Sequence, residues 1–254
     1  MLKLIFSDLD DTLLNNKKAV SDETMSFIKE LKGIRFIVNS GRLPYNMESI
    51  KQYIDISNMV CGNGAYIILD GKLIYSCYLD KKDTYDLLSY GYSRGYLPRL
   101  YLDSGLYITN NSNMPTSVKI NVVTKDELYE LLEKEKVYKI AFSDYNKDHL
   151  EDVRQFISNM NNMVCEYSNY WFLECHHKNT SKGNAIDTVS KLLSIKPDEV
   201  LAIGDNENDL SMFNRGYHGA CPSNANDKVK SAVEYVSPFD CNHDAMIDIV
   251  KHFL

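Results

Sequence analysis

A chain of 254 residues, 44% of them hydrophobic and 25% charged, has the make-up of a folded core domain with room for a second one. Its formal charge of −7 argues against nucleic acid or an anionic membrane as the main partner, and an anionic small substrate then needs locally placed cations. No apolar run approaches the roughly 20 residues that span a bilayer, the start lacks a signal-peptide pattern, and the six cysteines (Cys61, Cys77, Cys165, Cys175, Cys221 and Cys241) form no CxxC pair, so a cytoplasmic protein with reduced, structural thiols is expected.

The first apolar run, Leu4-Ile5-Phe6, reads as a buried strand and is followed at once by Asp8-Leu9-Asp10-Asp11-Thr12. Side chains alternate along a strand, so Asp8 and Asp10 are expected on one side with Leu9 turned into the core. Two carboxylates on one side repel each other, and a hard divalent cation such as Mg²⁺ relieves that repulsion. Ser21 has the form of an N-cap, flanked by the Val20/Met25 staple, and Met25, Ile28 and Leu31 share a helical face. A second buried strand over 35–39 ends in Ser40-Gly41-Arg42, and Pro44 is placed to open the next helix. Strand-like runs recur at 59–61, 66–69 and 73–75, the last two joined by the hairpin pair Asp70-Gly71. This βαβα opening predicts a parallel sheet covered by helices.

From about residue 80 to residue 178 the texture changes to alternating, Tyr-rich strands. They are expected at 99–103, 106–109, 118–123, 138–142, 164–167 and 171–174, with one wet face. Two helices are signalled among them. One begins at the capping box Thr124-x-x-Glu127 and carries Leu128, Leu131 and Leu132; the other starts near Asp148 with Leu150, Val153 and Ile157 on one side. The pair is expected to cover one face of the sheet.

After residue 180 the βα rhythm returns. A helix with Ile186, Val189 and Leu193 leads to the strand Val200-Leu201-Ala202-Ile203, followed by the acidic run Gly204-Asp205-Asn206-Glu207-Asn208-Asp209 and an expected helix. A short strand lies near 217–221, and a last amphipathic helix passes through Ile247, Val250 and Phe253. The organisation expected is an α/β protein: residues 1–79 plus 179–254 form a Rossmann-like parallel-sheet core, interrupted by an α+β unit over 80–178.

Four polar clusters therefore stand at strand ends or helix starts: Asp8/Asp10, Ser40-Gly41-Arg42, Lys182-Gly183 and Asp205/Asn208/Asp209. Ligands bind at the carboxyl edge of open α/β sheets. A single DxD pair or Ser-Gly-Arg triplet is an ordinary turn, but the joint occurrence points to one site.

In these motifs, Asp8-Leu9-Asp10-Asp11-Thr12-Leu13, Ser40-Gly41-Arg42, Ser181-Lys182-Gly183 and Gly204-Asp205-x-x-Asn208-Asp209-x-x-Met212, the chain resembles the haloacid dehalogenase-like phosphohydrolases, specifically the Cof-like branch with a large α+β (C2-type) cap. The resemblance runs over the full length and implies a Mg²⁺-dependent phosphatase for a small phosphorylated metabolite, with 80–178 as the cap. It implies Asp8 as the nucleophile, Asp10 as the general acid/base, Ser40, Gly41 and Lys182 at the phosphate, and Mg²⁺ held by Asp8, Asp10 through its backbone carbonyl, and Asp205. These roles suit the chemistry, because a carboxylate nucleophile approaches an anionic phosphate only after charge neutralisation. A phosphomutase on the same fold is the near alternative; a phospho-acceptor or metabolite-binding module, short of the insert or of turnover, is the distant one.

Several residues keep two readings. Arg42 either contacts phosphate or pairs with a core carboxylate. Asn208 and Asp209 either support the metal and Lys182 from behind or cap a helix. Asp11 and Glu207 are read as solvated, His176-His177 as a solvated pair rather than a metal site, and Trp171 and most tyrosines as structural, with Tyr101 and Tyr107 as candidates for lining a substrate pocket. Asp11 stands where the family commonly has glycine, Pro222-Ser223-Asn224 replaces a glycine-containing turn, and the insert is short.

Overall fold

The computed structural model of the chain describes residues 1–109 and 119–254. They form two compact units, Met1–Ser76 with Ser181–Leu254, and Cys77–Thr180. The first unit opens with β1 (Leu4–Ser7), α1 (Asp22–Glu30), β2 (Arg35–Asn39), β3 (Met59–Cys61), β4 (Tyr66–Leu69) and β5 (Lys72–Ser76). The second contains α2 (Lys81–Ser93), β6 (Pro98–Leu102), β7 (Gly105–Ile108), β8 (Ile120–Val122), α3 (Lys125–Lys134), β9 (Val137–Ser143), α4 (Lys147–Ile157), β10 (Met163–Asn169) and β11 (Phe172–His177). The chain then returns to the first unit with α5 (Lys182–Leu192), β12 (Val200–Ile203), β13 (His218–Cys221), α6 (Asp227–Lys230), β14 (Tyr235–Val236) and α7 (Ala245–Phe253).

The core sheet has the order β14-β13-β12-β1-β2-β3-β4-β5. Its strands from β14 to β3 run parallel and β4 and β5 antiparallel. Alternation along β1 divides the hydrophobic interior: Ile5 packs in the cluster that includes Ala245, Ile249 and Val250 of α7, whereas Leu4 and Phe6 pack in the one that includes Ile186 and Val189 of α5. Helices on both faces of a parallel sheet follow from this burial on both sides. The N-cap read from sequence at Ser21 is formed, its side chain accepting from the Thr24 amide, and Ser181 caps α5 by accepting from the Asn184 amide. Asp70 and Gly71 both have positive φ, 50° and 74°, as a type I′ hairpin requires. β1 is central, with β2 on one side and β12 on the other; the chain reverses direction across it, which makes the carboxyl end of β1 the topological switch point.

Two expected helices are shorter and tighter than read. Pro44 opens the 3-10 turn Pro44–Asn46, and the segment after Asp205 is the 3-10 turn Glu207–Met212. In the second, Asn206 and Asp209 turn back onto backbone amides, a local competition that favours turns over helix.

In the inserted unit the sheet order is β10-β11-β9-β6-β7-β8, antiparallel except for β7 beside β8. The strand expected at 118–123 corresponds to β8, and Val118 lies outside the described residues. Three helices, not two, cover one face. Leu87 and Leu88 of α2 join Leu128, Leu132, Leu150, Val153 and Ile157 against Leu100, Leu102, Ile140, Phe142, Leu173 and Cys175. The helix α2 escaped notice because its Lys-Lys-Asp-Thr-Tyr-Asp start, three tyrosines and Gly91 carry little helical preference. Gly91 is there for contact, since a Cβ at that place would lie 2.9 Å from the Phe142 ring.

The opposite face is not wet as expected. Arg99, Tyr101, Lys139, Glu174 and His176 are all buried, so the solvated reading of His176 is corrected. Its Nδ1 lies 2.8 Å from Thr180 Oγ1, a local partner that lets the ring go inside. Tyr107 packs against the helix-covered cluster, so only Tyr101 of the two candidate tyrosines belongs to the polar face.

Candidate active site

Three of the four polar clusters stand at the carboxyl ends of the neighbouring strands β2, β1 and β12, and the fourth, Lys182-Gly183, opens α5. Asp8 follows β1 directly, and its backbone amide donates to Ile203 at the end of β12 (2.8 Å), which ties the two strand ends together. β1 stops at Ser7, so strand alternation does not govern Asp8 and Asp10. Their carboxylates take different partners.

Asp8 accepts a hydrogen bond from Lys182 Nζ, which also donates to Asp209 Oδ1 at 2.5 Å. Lys182 is the first residue of α5, and both it and Asp209 are wholly buried. The other oxygen of Asp209 accepts from the backbone amides of Asp205 (2.8 Å) and Asn206 (3.0 Å), while Asp205 Oδ1 accepts from Thr12 Oγ1 (2.6 Å). Asp209 thus both steadies Lys182 and caps the 3-10 turn, uniting the two readings of it. Carboxylate oxygens of Asp8, Asp205 and Asp209 lie within 4.8 Å of one another.

Such crowding has an electrostatic signature. Burial raises the Asp8 carboxyl well above its ordinary range, opposed by Lys182 and reinforced by the charges of Asp209 and Asp205. Burial, then the charge of Asp209, pushes the Asp205 carboxyl up to about 6. For Lys182, burial favours the neutral amine, but Asp209 and Asp8 together outweigh it and keep the ammonium charged.

Asp10 belongs to a separate arrangement. Arg42 donates to it twice, Nε to Oδ2 at 2.8 Å and Nη2 to Oδ1 at 2.7 Å, and Lys18 Nζ lies 3.1 Å from Oδ1. Burial pushes the Asp10 carboxyl up, but the hydrogen bond and charge of Arg42, aided by Lys18, more than offset this and hold it below the usual range. Of the two readings of Arg42, the contact present is the pairing with a carboxylate.

Ser40, at the end of β2, is buried; its Oγ accepts from the Arg42 amide (3.2 Å) and its carbonyl from the Asn63 amide (3.1 Å). Gly41 lies against the same residue, since a Cβ there would stand 3.0 Å from Asn63 Oδ1. Asn208 Nδ2 reaches Asn63 Oδ1 at 3.4 Å. Asn63, with Thr12 and Lys18, was missed by sequence reading. Its signal was there: Gly62-Asn63-Gly64 follows the apolar Met59-Val60-Cys61 as another polar, glycine-rich strand end, and Asn63 adopts the left-handed φ of 53° that asparagine tolerates. Asp11, at φ 60°, likewise takes a conformation open to aspartate in place of glycine, and pairs at the surface with Lys18.

Comparison with known proteins identifies the family. The sequence profile of the haloacid dehalogenase-like hydrolases matches residues 5–249. The chain belongs to that family. It is an enzyme of the phosphatase kind, in the Cof-like branch. Phosphatase YwpJ of Bacillus subtilis is 27% identical, the alignment covering 100% of both chains. A phosphoglycolate phosphatase of Picrophilus torridus is 25% identical over 100% of this chain and 92% of its own. The crystal structure of a haloacid dehalogenase-like hydrolase from B. subtilis superimposes with a TM-score of 0.88 at 26% identity, covering 100% of each chain.

Proposed function

We propose that this haloacid dehalogenase-like enzyme hydrolyses a small phosphorylated metabolite in the cytoplasm by way of an aspartyl phosphate on Asp8, with Mg²⁺ as cofactor. The observation that carries the reading is the buried Lys182 ammonium bonded to Asp8 at the carboxyl end of the central strand. In this reading residues 1–79 and 179–254 form the catalytic core and 80–178 the cap that selects the substrate. The range of relatives, one of them named for phosphoglycolate, supports a small phosphate monoester as the substrate class.

Mg²⁺ fits the residues present. The donors are all oxygens, and the raised carboxyls of Asp8 and Asp205 mark a concentration of negative charge that one lysine does not neutralise. Asp8, the Asp10 backbone carbonyl and Asp205 would hold it, with Asp209 and Asn208 in support. Bound there, the ion supplies charge neutralisation for the nucleophile and the phosphoryl oxygens.

The chain's own groups do the rest. Lys182 fixes one oxygen of Asp8 and so orients the carboxylate toward phosphorus, while its ammonium and the Ser40 hydroxyl and Gly41 amide hold phosphoryl oxygens. An Asp8 oxygen attacks phosphorus, the P–O bond to the alcohol breaks, and the leaving oxygen takes a proton from Asp10. Water then attacks the aspartyl phosphate, returning its proton to Asp10 and releasing inorganic phosphate and free Asp8. Arg42, forked onto Asp10, positions that acid/base.

Release of phosphate from p-nitrophenyl phosphate, followed with and without EDTA and in Asp8→Asn, tests the reading. Metal-dependent release that Asp8→Asn abolishes supports it. Release that survives either treatment overturns it, and isomerisation of a sugar phosphate without net release would replace hydrolysis by phosphomutase chemistry.

A further inference from the structure

The face of the inserted sheet that carries no helix holds a group of buried polar residues with no part in the chemistry above. Register defines them. Arg99 of β6 stands opposite Ala141 of β9, which stands opposite Glu174 of β11; one row along, Tyr101, Lys139 and His176 are aligned in the same way. Ala141 is the small residue of the first row, standing between the longer side chains of Arg99 and Glu174.

Arg99 is only 3% exposed. Its Nε donates to Ser143 Oγ at 3.1 Å and its guanidinium lies over the Phe172 ring, 5.6 Å from the centroid, while Nη2 is buried without a hydrogen-bond partner. Among the described residues no carboxylate pairs with it, and the acid across Ala141, Glu174, is bonded to Lys139. On the next row His176, also 3% exposed, makes no hydrogen bond through Nε2, which lies 3.7 Å from a carboxylate oxygen of Glu166. A buried guanidinium with an idle donor and no counter-charge is disfavoured unless something else completes it.

We propose that this face binds an anionic group, a carboxylate or phosphate, on the guanidinium of Arg99. The planar fork of donors matches two oxygens of such a group. Phe172 and Ser143 fix the fork in place, Ala141 beside it adds little bulk, and Lys139 adds positive potential while Glu174 absorbs its direct contact. The same chemistry serves a free small anion or the non-transferred part of a larger ligand.

The only tryptophan of the chain, Trp171, precedes Phe172, their ring centroids 5.6 Å apart, so its emission reports on the site. The full chain is titrated with malonate in EDTA. A saturable change is expected, weakened at least tenfold in Arg99→Met and in Ala141→Val, the second of which adds bulk beside Arg99 and leaves the guanidinium intact. Arg99→Lys, keeping charge without the fork, is expected in between. An unsaturable titration, or equal affinity in wild type and Arg99→Met, overturns the site; a purely structural Arg99 would change melting temperature and leave the titration unmoved. The source of the anion follows from kcat/KM on 2-phosphoglycolate against ethyl phosphate. If Arg99→Met lowers that ratio about tenfold, the anion belongs to a substrate; an unchanged ratio with malonate binding lost assigns a separate anion to the same site.

Discussion

Arg42 holds Asp10 by two near-parallel hydrogen bonds, 2.8 Å from Nε and 2.7 Å from Nη2. A fork of this kind fixes the position of the carboxylate and favours its ionised form. Arg42→Met frees it, so kcat is expected to fall by about 10–100-fold through misplacement. With Arg42 gone, burial still raises the Asp10 carboxyl and only Lys18 opposes it. The acid limb of the kcat profile, where breakdown of the phospho-enzyme needs ionised Asp10, is therefore expected to move to higher pH. A pH–rate profile on p-nitrophenyl phosphate checks this, and an unmoved limb would remove Arg42 from any role in setting Asp10.

Lys182 and its two carboxylates make contrasting variants. Asp8→Asn deletes the nucleophile but leaves the buried ammonium with Asp209, so turnover is expected to vanish while the melting temperature changes little. Lys182→Met instead leaves Asp8, Asp205 and Asp209 facing one another in a buried site, and breaking a buried pair in this way costs about 3–5 kcal/mol. Circular-dichroism melting of the two variants in EDTA separates them. A Lys182→Met protein as stable as Asp8→Asn would show that the ammonium does not offset this negative charge.

The same charges give stability a pH dependence in the absence of metal. The folded Asp205 carboxyl lies at about 6, against about 3.9 in an unfolded chain. Between those values the folded state holds a proton that the unfolded state has lost, so stability falls as pH rises through the window. Asp8, also raised, acts in the same direction. Asp10 has the opposite sign, but its stabilisation is present above the ordinary carboxylate value and is lost only as pH falls below it. The EDTA-treated protein is thus expected to melt roughly 3 °C or more higher at pH 5 than at pH 7.5. Added Mg²⁺ is expected to stabilise more at pH 7.5 than at pH 5. Equal melting temperatures at both pH values without metal would contradict the raised carboxyls.

Much of this architecture was legible in the sequence because local signals agreed with burial. Ser21 and Thr124 are caps whose side chains accept the expected amides, and Asp70-Gly71 is a hairpin whatever surrounds it. The parallel core followed from apolar runs ending in polar clusters. Non-local causes hid the rest. The partners of Asp8 and Asp10 were hidden because they lie 174 and 32 residues away in sequence. Helix α2 exists because Leu87 and Leu88 find a cluster to bury in and Gly91 lets it approach Phe142, neither of which is a local propensity. The buried polar face of the inserted sheet arises from pairing that sets Arg99, Glu174, Lys139 and His176 side by side, which alternation alone read as a wet surface.

Gly204 tests how closely the acidic strand end is built. A Cβ there would lie 2.4 Å from Asp209 Cγ and 2.6 Å from its Oδ2. Gly204→Ala therefore displaces the side chain that accepts from the Asp205 and Asn206 amides and pairs with Lys182. The overpacking is expected to cost about 1–3 kcal/mol, and the loss of Asp209's hold on Lys182 and on the Asp205 backbone to lower kcat/KM by about 10–100-fold. Gly33→Ala is the control: its φ of +76° brings backbone strain, but nothing lies within 4 Å of the added carbon. That variant is expected to lose stability with kcat/KM unchanged, so the two separate a damaged site from a merely weakened fold. Wild-type kcat/KM in Gly204→Ala would show that Asp209 can leave its place without consequence, and its positioning role would have to be abandoned.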